Sequence, residues 1–226
     1  MIKTHNLAKS FGKKEVLKGI NLNFEKGKVY GIVGENGAGK TTLFRCIAGF
    51  KPFSGKIESD YKPLKNHLGF LQTNPVFMTR ITGWEYLKLL TIARNIKEDN
   101  FEEQNIFDLP LGQYVENYST GMKKKIALMG TLLQVNDVFI LDEPFNGVDI
   151  QSNIIISNLI DQLKEKNKTV LISSHIFSTL SDNCDEIHLL ENGNIIKSVG
   201  PDGFEALNDK MKSSILNEKV KQFKIA

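Results

Sequence analysis

The chain has 226 residues, 41% hydrophobic and 24% charged, with 29 basic against 26 acidic side chains and a net charge of +3. That length fits one globular domain with room for a subdomain, and so small a charge excess argues against direct nucleic-acid binding. No run approaches the roughly 18 apolar residues of a membrane helix. The N-terminus lacks the apolar core of a secretory signal, and Cys46 and Cys184 form no disulfide framework. A cytoplasmic protein is predicted, one that acts on a membrane only through a partner.

Ile2 to Leu7 reads as a first strand, interrupted by Phe11 and Gly12, with extended character resuming over Val16 to Phe24. Phe11 is either a core or turn phenylalanine or an aromatic that stacks on a base; such stacking is worth about 1–3 kcal/mol. The apolar run Val29 to Val33 then leads into Gly34-Glu35-Asn36-Gly37-Ala38-Gly39-Lys40-Thr41, followed by Thr42 and a helical pattern to Ala48. Strand, glycine-rich loop and helix in that order make a phosphate-binding loop. Its glycines expose backbone N–H groups, and the helix start adds free donors and a positive dipole end. Lys40 is placed to reach β- and γ-phosphates, and the Thr41 hydroxyl to bind Mg²⁺. Leu43, Phe44 and Ile47 form the helix's apolar side, and Gly49 ends it.

Ser54-Gly55 reads as a turn, and Lys56 to Glu58 and Leu68 to Leu71 as short strands, the second ended by Gln72. From Ile81 to Phe107 the pattern is helical, opening on the capping box Thr82-Gly83-Trp84-Glu85. Trp84, Leu87, Leu90 and Ile92 are its core candidates, and Lys97 to Gln104 its solvated part. Asn74 to Tyr118 therefore forms a mostly helical insertion. Tyr118-Ser119-Thr120-Gly121-Met122 opens another helix, with Met122, Ile126, Met129 and Leu133 at helical spacing. Ser119 caps it and leaves an N-terminus suited to an anion. At least two of Lys123, Lys124 and Lys125 read as a solvated face.

Val138 to Leu141 is a buried strand ending in Asp142-Glu143-Pro144. Neighbouring strand residues face opposite ways, so one acid can serve a metal while the other points elsewhere. Asp149 caps the next helix, Ile150 to Lys164; Thr169 to Ser173 is a strand with His175 just past it. Two strands, Glu186 to Leu190 and Asn194 to Ser198, flank an Asn192-Gly193 hairpin turn. The tail from Asn208 is polar, a marginal helix.

Taken together, these motifs make the chain resemble, from about Ile2 to Pro201, the ATP-binding subunit of ABC (ATP-binding cassette) transporters. The resemblance implies an α/β fold, a P-loop NTPase of ABC type with a mixed sheet core, antiparallel N-terminal strands and a helical subdomain. It implies one domain over 1–226: a core of 1–73 and 135–207, a helical subdomain of about 74–134, and a tail of 208–226. Gly34 to Thr41 looks like the Walker A loop, and Phe11 matches the adenine-stacking aromatic. Gln72 matches the glutamine that contacts Mg²⁺ and senses the membrane partner. Tyr118 to Met122 resembles the signature sequence, whose Ser119 and Gly121 complete the ATP site of a second subunit. Val138 to Asp142 resembles Walker B, with Asp142 on Mg²⁺; Glu143 matches the residue that polarises water. Asn146 to Asp149 resembles the D-loop, and His175 matches the switch histidine.

The implied activity is ATP hydrolysis with ATP and Mg²⁺, in a head-to-tail dimer of ATP-binding subunits, identical chains being the simplest case. Transmembrane permease subunits would hold the pair at the inner face of the cell membrane. The signature departs from the family at Thr120 and Met122. Methionine there resembles the exporter branch, which carries drugs, lantibiotics and similar cargo. The other function class compatible with these motifs is a soluble ABC-type ATPase that remodels a protein or nucleic-acid complex.

Overall fold

The computed structural model describes residues 1–218, with side chains to Lys212. β1 (Ile2–Phe11) and β2 (Lys14–Phe24) form an antiparallel hairpin, so Phe11 and Gly12 do not interrupt a strand; they end one and start its turn. The irregularity lies earlier, at Asn6, whose φ is 47° and where the register slips. Asn6 N–H donates to Asn21 Oδ1 (2.9 Å), and the Asn21 amide donates to Asn6 Oδ1 (3.2 Å). Side-chain amides thus bridge the bulge where backbone pairing lapses.

β3 (Val29–Val33) follows, entirely buried, and then α1 (Lys40–Ile47). β4 (Ser54–Ser59) pairs antiparallel with β1, Ala8 opposite Ser54. That pairing recruits Ser54 and Gly55, read above as a turn, into the strand.

Next come β5 (Leu68–Leu71), α2 (Gly83–Ile92), α3 (Thr120–Leu132) and β6 (Val138–Asp142). α4 (Ile150–Glu165), β7 (Thr169–Ser174), α5 (Phe177–Ser181), β8 (Glu186–Glu191), β9 (Asn194–Val199) and α6 (Phe204–Glu218) complete the described chain. The part of the expected tail at 219–226 lies outside the described residues.

Two sheets result: three strands in the order β2-β1-β4, and six in the order β5-β6-β7-β3-β8-β9. The first five strands of the large sheet are parallel, and β9 returns antiparallel through the Asn192-Gly193 turn. Alternation along its strands separates two apolar layers. Val29, Val33, Phe139, Leu141, Val170 and Ile172 share one cluster with residues of α3, α4 and α5. Tyr30, Ile32, Val138, Ile140 and Leu171 face the other way, joining α1 and the small sheet. Among the described residues no helix is long and apolar enough to cross a membrane.

The helical reading of Ile81 to Phe107 is corrected: the helix stops at Ile92. Asn95 turns left-handed (φ 56°), and Ile96 N–H returns to Thr91 O at 2.9 Å. Beyond it, side chains capture the backbone. Glu98 Oε1 accepts from Asp99 and Asn100 N–H, and Asn105 bonds both backbone groups of Leu109. Such local bonds compete with a helical ladder. Of the core candidates, Leu87 is fully buried, Leu90 half-buried, and Trp84 and Ile92 exposed.

Phe101, inside the stretch read as solvated, is fully buried, edge-on to Trp84 with ring centroids 5.6 Å apart. A phenylalanine that anchors an irregular segment has no helix to fall back on. Phe101→Ala is expected to destabilise the chain by about 3–5 kcal/mol. A thermal melt should show a midpoint lowered by roughly 2–4 °C per kcal/mol; an unmoved midpoint would mean that the segment packs without its ring.

Candidate functional site

Parallel strands gather their carboxyl ends on one edge, where open α/β sheets bind ligands. Here the loop after β3, Thr73 after β5, Glu143 after β6 and His175 after β7 meet at a cavity of about 370 Å³. The loop and the start of α1 contribute Glu35, Asn36, Gly37, Gly39, Lys40, Thr41 and Thr42; Val16 and Asn146 complete the wall.

The loop's shape depends on glycine at two places. A Cβ on Gly34 would stand 2.3 Å from Leu190 O, so the loop leaves β3 pressed against β8. Gly39, at φ 116°, turns into α1 without capping it by a side chain. The first turn of α1 carries no acid, so its free N–H groups and positive dipole end favour an anion.

Lys40 is 6% exposed; its ammonium donates to Gly34 O (2.7 Å) and Glu35 O (3.3 Å) and stands 3.5 Å from Glu143 Oε1. The other Glu143 oxygen lies 2.9 Å from His175 Nδ1. A buried lysine and carboxylate thus continue into an exposed imidazole across the cavity. Asp142 is fully buried behind it, accepting from Ser173 Oγ (2.6 Å) and Thr73 Oγ1 (2.5 Å).

Glu143 does not simply alternate with Asp142 along a strand, as the sequence suggested. β6 ends at Asp142, and Glu143 turns left-handed at φ 54°. Its N–H donates to Ser173 Oγ (2.9 Å), while its C=O accepts from Lys124 Nζ (2.7 Å) and Asn146 N–H (3.2 Å).

Several expected residues lie away from the cavity lining. Gly34 is pressed on Leu190 O, and Ala38 packs against the apolar cluster of α1 and the small sheet. Gln72 is half-buried and outside the lining; its neighbour Thr73 is inside it. Phe11 is 48% exposed under the Lys9 ammonium, which stands 5.0 Å from its ring centroid, and Val16 lines the wall instead. Ser119 caps α3 by accepting from Met122 N–H (3.2 Å); neither it nor Gly121 borders the cavity.

Sequence reasoning missed Thr73, Ser173 and Lys124, and gave Asn146 no place at the cavity beyond its resemblance to the D-loop. Ser173 reaches the site because β7 sets it in register with Asp142, a pairing that only the folded sheet supplies. The solvated reading of the lysines is corrected: Lys124 is buried and the Lys125 side chain is 14% exposed. Burial pushes the Lys124 ammonium's pKa down, and the charges of Glu143 and Asp142 partly offset that. Lys125 bonds Asp149 Oδ2 at 2.6 Å and, with Ser152, holds that carboxyl well below its ordinary range.

A glycine loop at a helix N-terminus, with a buried lysine and acids on neighbouring parallel strands, belongs to the P-loop nucleoside triphosphatases. Comparison with known proteins is more specific. The profile of the family described as "ABC transporter" matches residues 17–146, more than half of the chain. A lantibiotic transport ATP-binding protein, SrtF of Streptococcus pyogenes, is 31% identical over 97% of this chain and 99% of its own. The bacitracin transport ATP-binding protein BcrA of Bacillus licheniformis is 32% identical over 93% of this chain and 73% of its own. A solved ATP-binding subunit of an ABC transporter superposes with a TM-score of 0.84 at 23% identity, covering 96% of this chain and all of that one. The chain belongs to the ABC transporter family, as an ATP-binding, ATP-hydrolysing subunit that energises a membrane transporter.

Proposed function

We propose that the chain drives export of drug-like or peptide cargo, paired head to tail with a second ATP-binding subunit and docked on membrane permease subunits. Relatives named for lantibiotic and bacitracin transport support the cargo class, as does Met122 in the signature. The permease would hold the pair at the inner face of the membrane. In this reading residues 1–73 and 135–207 form the nucleotide-binding core, and 74–134 the subdomain that faces the permease.

The reading is carried by the cavity itself, where Lys40, Glu143 and His175 converge on a glycine-loop anion site. Phosphoryl transfer to water needs mostly positioning and charge stabilisation. Lys40 and the loop N–H groups of Gly34 to Thr42 hold the β- and γ-phosphates. Glu143 orients and deprotonates the attacking water, and His175 steadies the γ-phosphate. Phe11 stacks on the adenine, and Gln72 reports permease movement to the site. Among the described residues no cluster of three acidic, histidine or cysteine groups holds a metal by itself. Thr41 and Asp142 nevertheless fit Mg²⁺, which is commonly bound through one or two protein oxygens, water and substrate phosphates. Each Asp142 oxygen accepts a hydroxyl bond and keeps lone-pair capacity, so it would hold the ion with Gln72 and Thr41. Held there, the ion would supply charge neutralisation on the phosphates.

Ser119 and Gly121 close the partner's site. Ser119 is exposed at a helix N-terminus and outside its own chain's cavity. Ser119→Arg is expected to leave ATP affinity within about twofold of the parent but to lower turnover at least about tenfold. The ATP-dependent dimer should disappear from size-exclusion profiles. Loss of ATP binding would place Ser119 in its own chain's site, and full turnover would remove it from any site.

A further inference from the structure

The buried Lys124 has no role in the machinery described so far. It is 4% exposed, and its ammonium donates to Glu143 O at 2.7 Å. Burying a cation is costly unless it is well partnered. A plain packing role would be filled more cheaply by an apolar side chain. What Lys124 secures is a backbone carbonyl at an unusual place. Glu143 is left-handed at φ 54°, a conformation that costs a non-glycine residue on the order of 1–2 kcal/mol.

Both backbone groups of that residue are held by side chains from other elements. Ser173 of β7 takes the N–H at 2.9 Å, and Lys124 of α3 takes the C=O. With the two ends fixed, the carboxylate is directed at Lys40 (3.5 Å) and His175 (2.9 Å). The neighbouring contacts point the same way. A Cβ on Gly121 would come 2.8 Å from Gly147 O, and Lys125 bonds Asp149. The loop from Glu143 to Asp149 therefore rests on the first turns of α3 at three points.

We propose that Lys124 is a positioning residue for hydrolysis: it holds the Glu143 peptide so that the carboxylate faces the attacking water. It thereby ties that carboxylate to the helix that carries Ser119. This rests on Glu143 being the water-activating group.

The test uses the full chain. Lys124→Met keeps length and removes the donor. Its kcat for MgATP should fall at least about tenfold, while KM and the affinity for ATP stay within about twofold. In single-turnover measurements on the Glu143→Gln chain, adding Lys124→Met should cause no further loss, because both changes act on one carboxylate. If Lys124→Met fails to fold by circular dichroism, Lys124→Gln, whose amide is too short to reach the carbonyl, is judged by the same criteria. A kcat within about twofold of the parent overturns the proposal, as does loss of ATP affinity in step with kcat, or a multiplied loss in the double variant. Parent-rate turnover by Glu143→Gln alone defeats the site reading, whereas an inactive Glu143→Gln beside a fully active Lys124→Met defeats only the role of Lys124.

Discussion

Lys40→Ala is expected to lower MgATP turnover at least about a hundredfold, the usual loss when a preorganised group that meets developing charge is removed. Nucleotide binding should weaken as well. The ammonium rests on Gly34 O and Glu35 O beside Glu143, so it stands at the cavity desolvated and aimed. Among the described residues Lys40 is the one lysine lining the cavity, and alanine there leaves the Glu143 carboxylate with its His175 contact. The glycine loop should keep its path, because Gly34 is pressed on Leu190 O whatever residue follows at position 40. A fluorescent-nucleotide titration run beside a phosphate-release assay separates binding from turnover. Unchanged turnover in the purified variant would remove the loop from the reaction.

Glu143→Gln is expected to cut turnover by about 10²–10⁴, the contribution of a positioned general base. ATP affinity should hold or rise. The 3.5 Å pair between Glu143 and Lys40 competes with phosphate for the lysine, and an uncharged amide competes less. The substitution keeps shape, so the bonds of the Glu143 backbone to Ser173 and Lys124 survive. With hydrolysis stopped and binding intact, the chain should accumulate as an ATP-dependent dimer that elutes earlier in size exclusion. A variant that stays monomeric with MgATP and hydrolyses at the parent rate would show that Glu143 does not activate water.

What the sequence determined by itself is local. Strand, glycine loop and helix from Val29 to Ile47 were legible because their signals lie within a few residues: a continuous apolar run, loop glycines, a helical pattern directly after them. Ser119 and Asp149 as caps and Asn192-Gly193 as a turn were legible for the same reason. The end of α2 was not, because helical spacing persists on paper after side chains such as Glu98 and Asn105 have taken the backbone bonds. The tertiary structure alone decided which strand ends meet. Thr73 reaches Asp142 across 69 positions, Ser173 across 31, and Lys124 reaches Glu143 across 19. Those contacts follow from the strand order β5-β6-β7-β3 and from α3 reaching the residue just past β6, neither of which is written in a local pattern. A lysine's composition points to water, and a phenylalanine among polar neighbours points nowhere in particular. Lys124 and Phe101 are buried because the packed layers supply a carbonyl for one and an aromatic edge for the other, partners that exist only once the chain is folded.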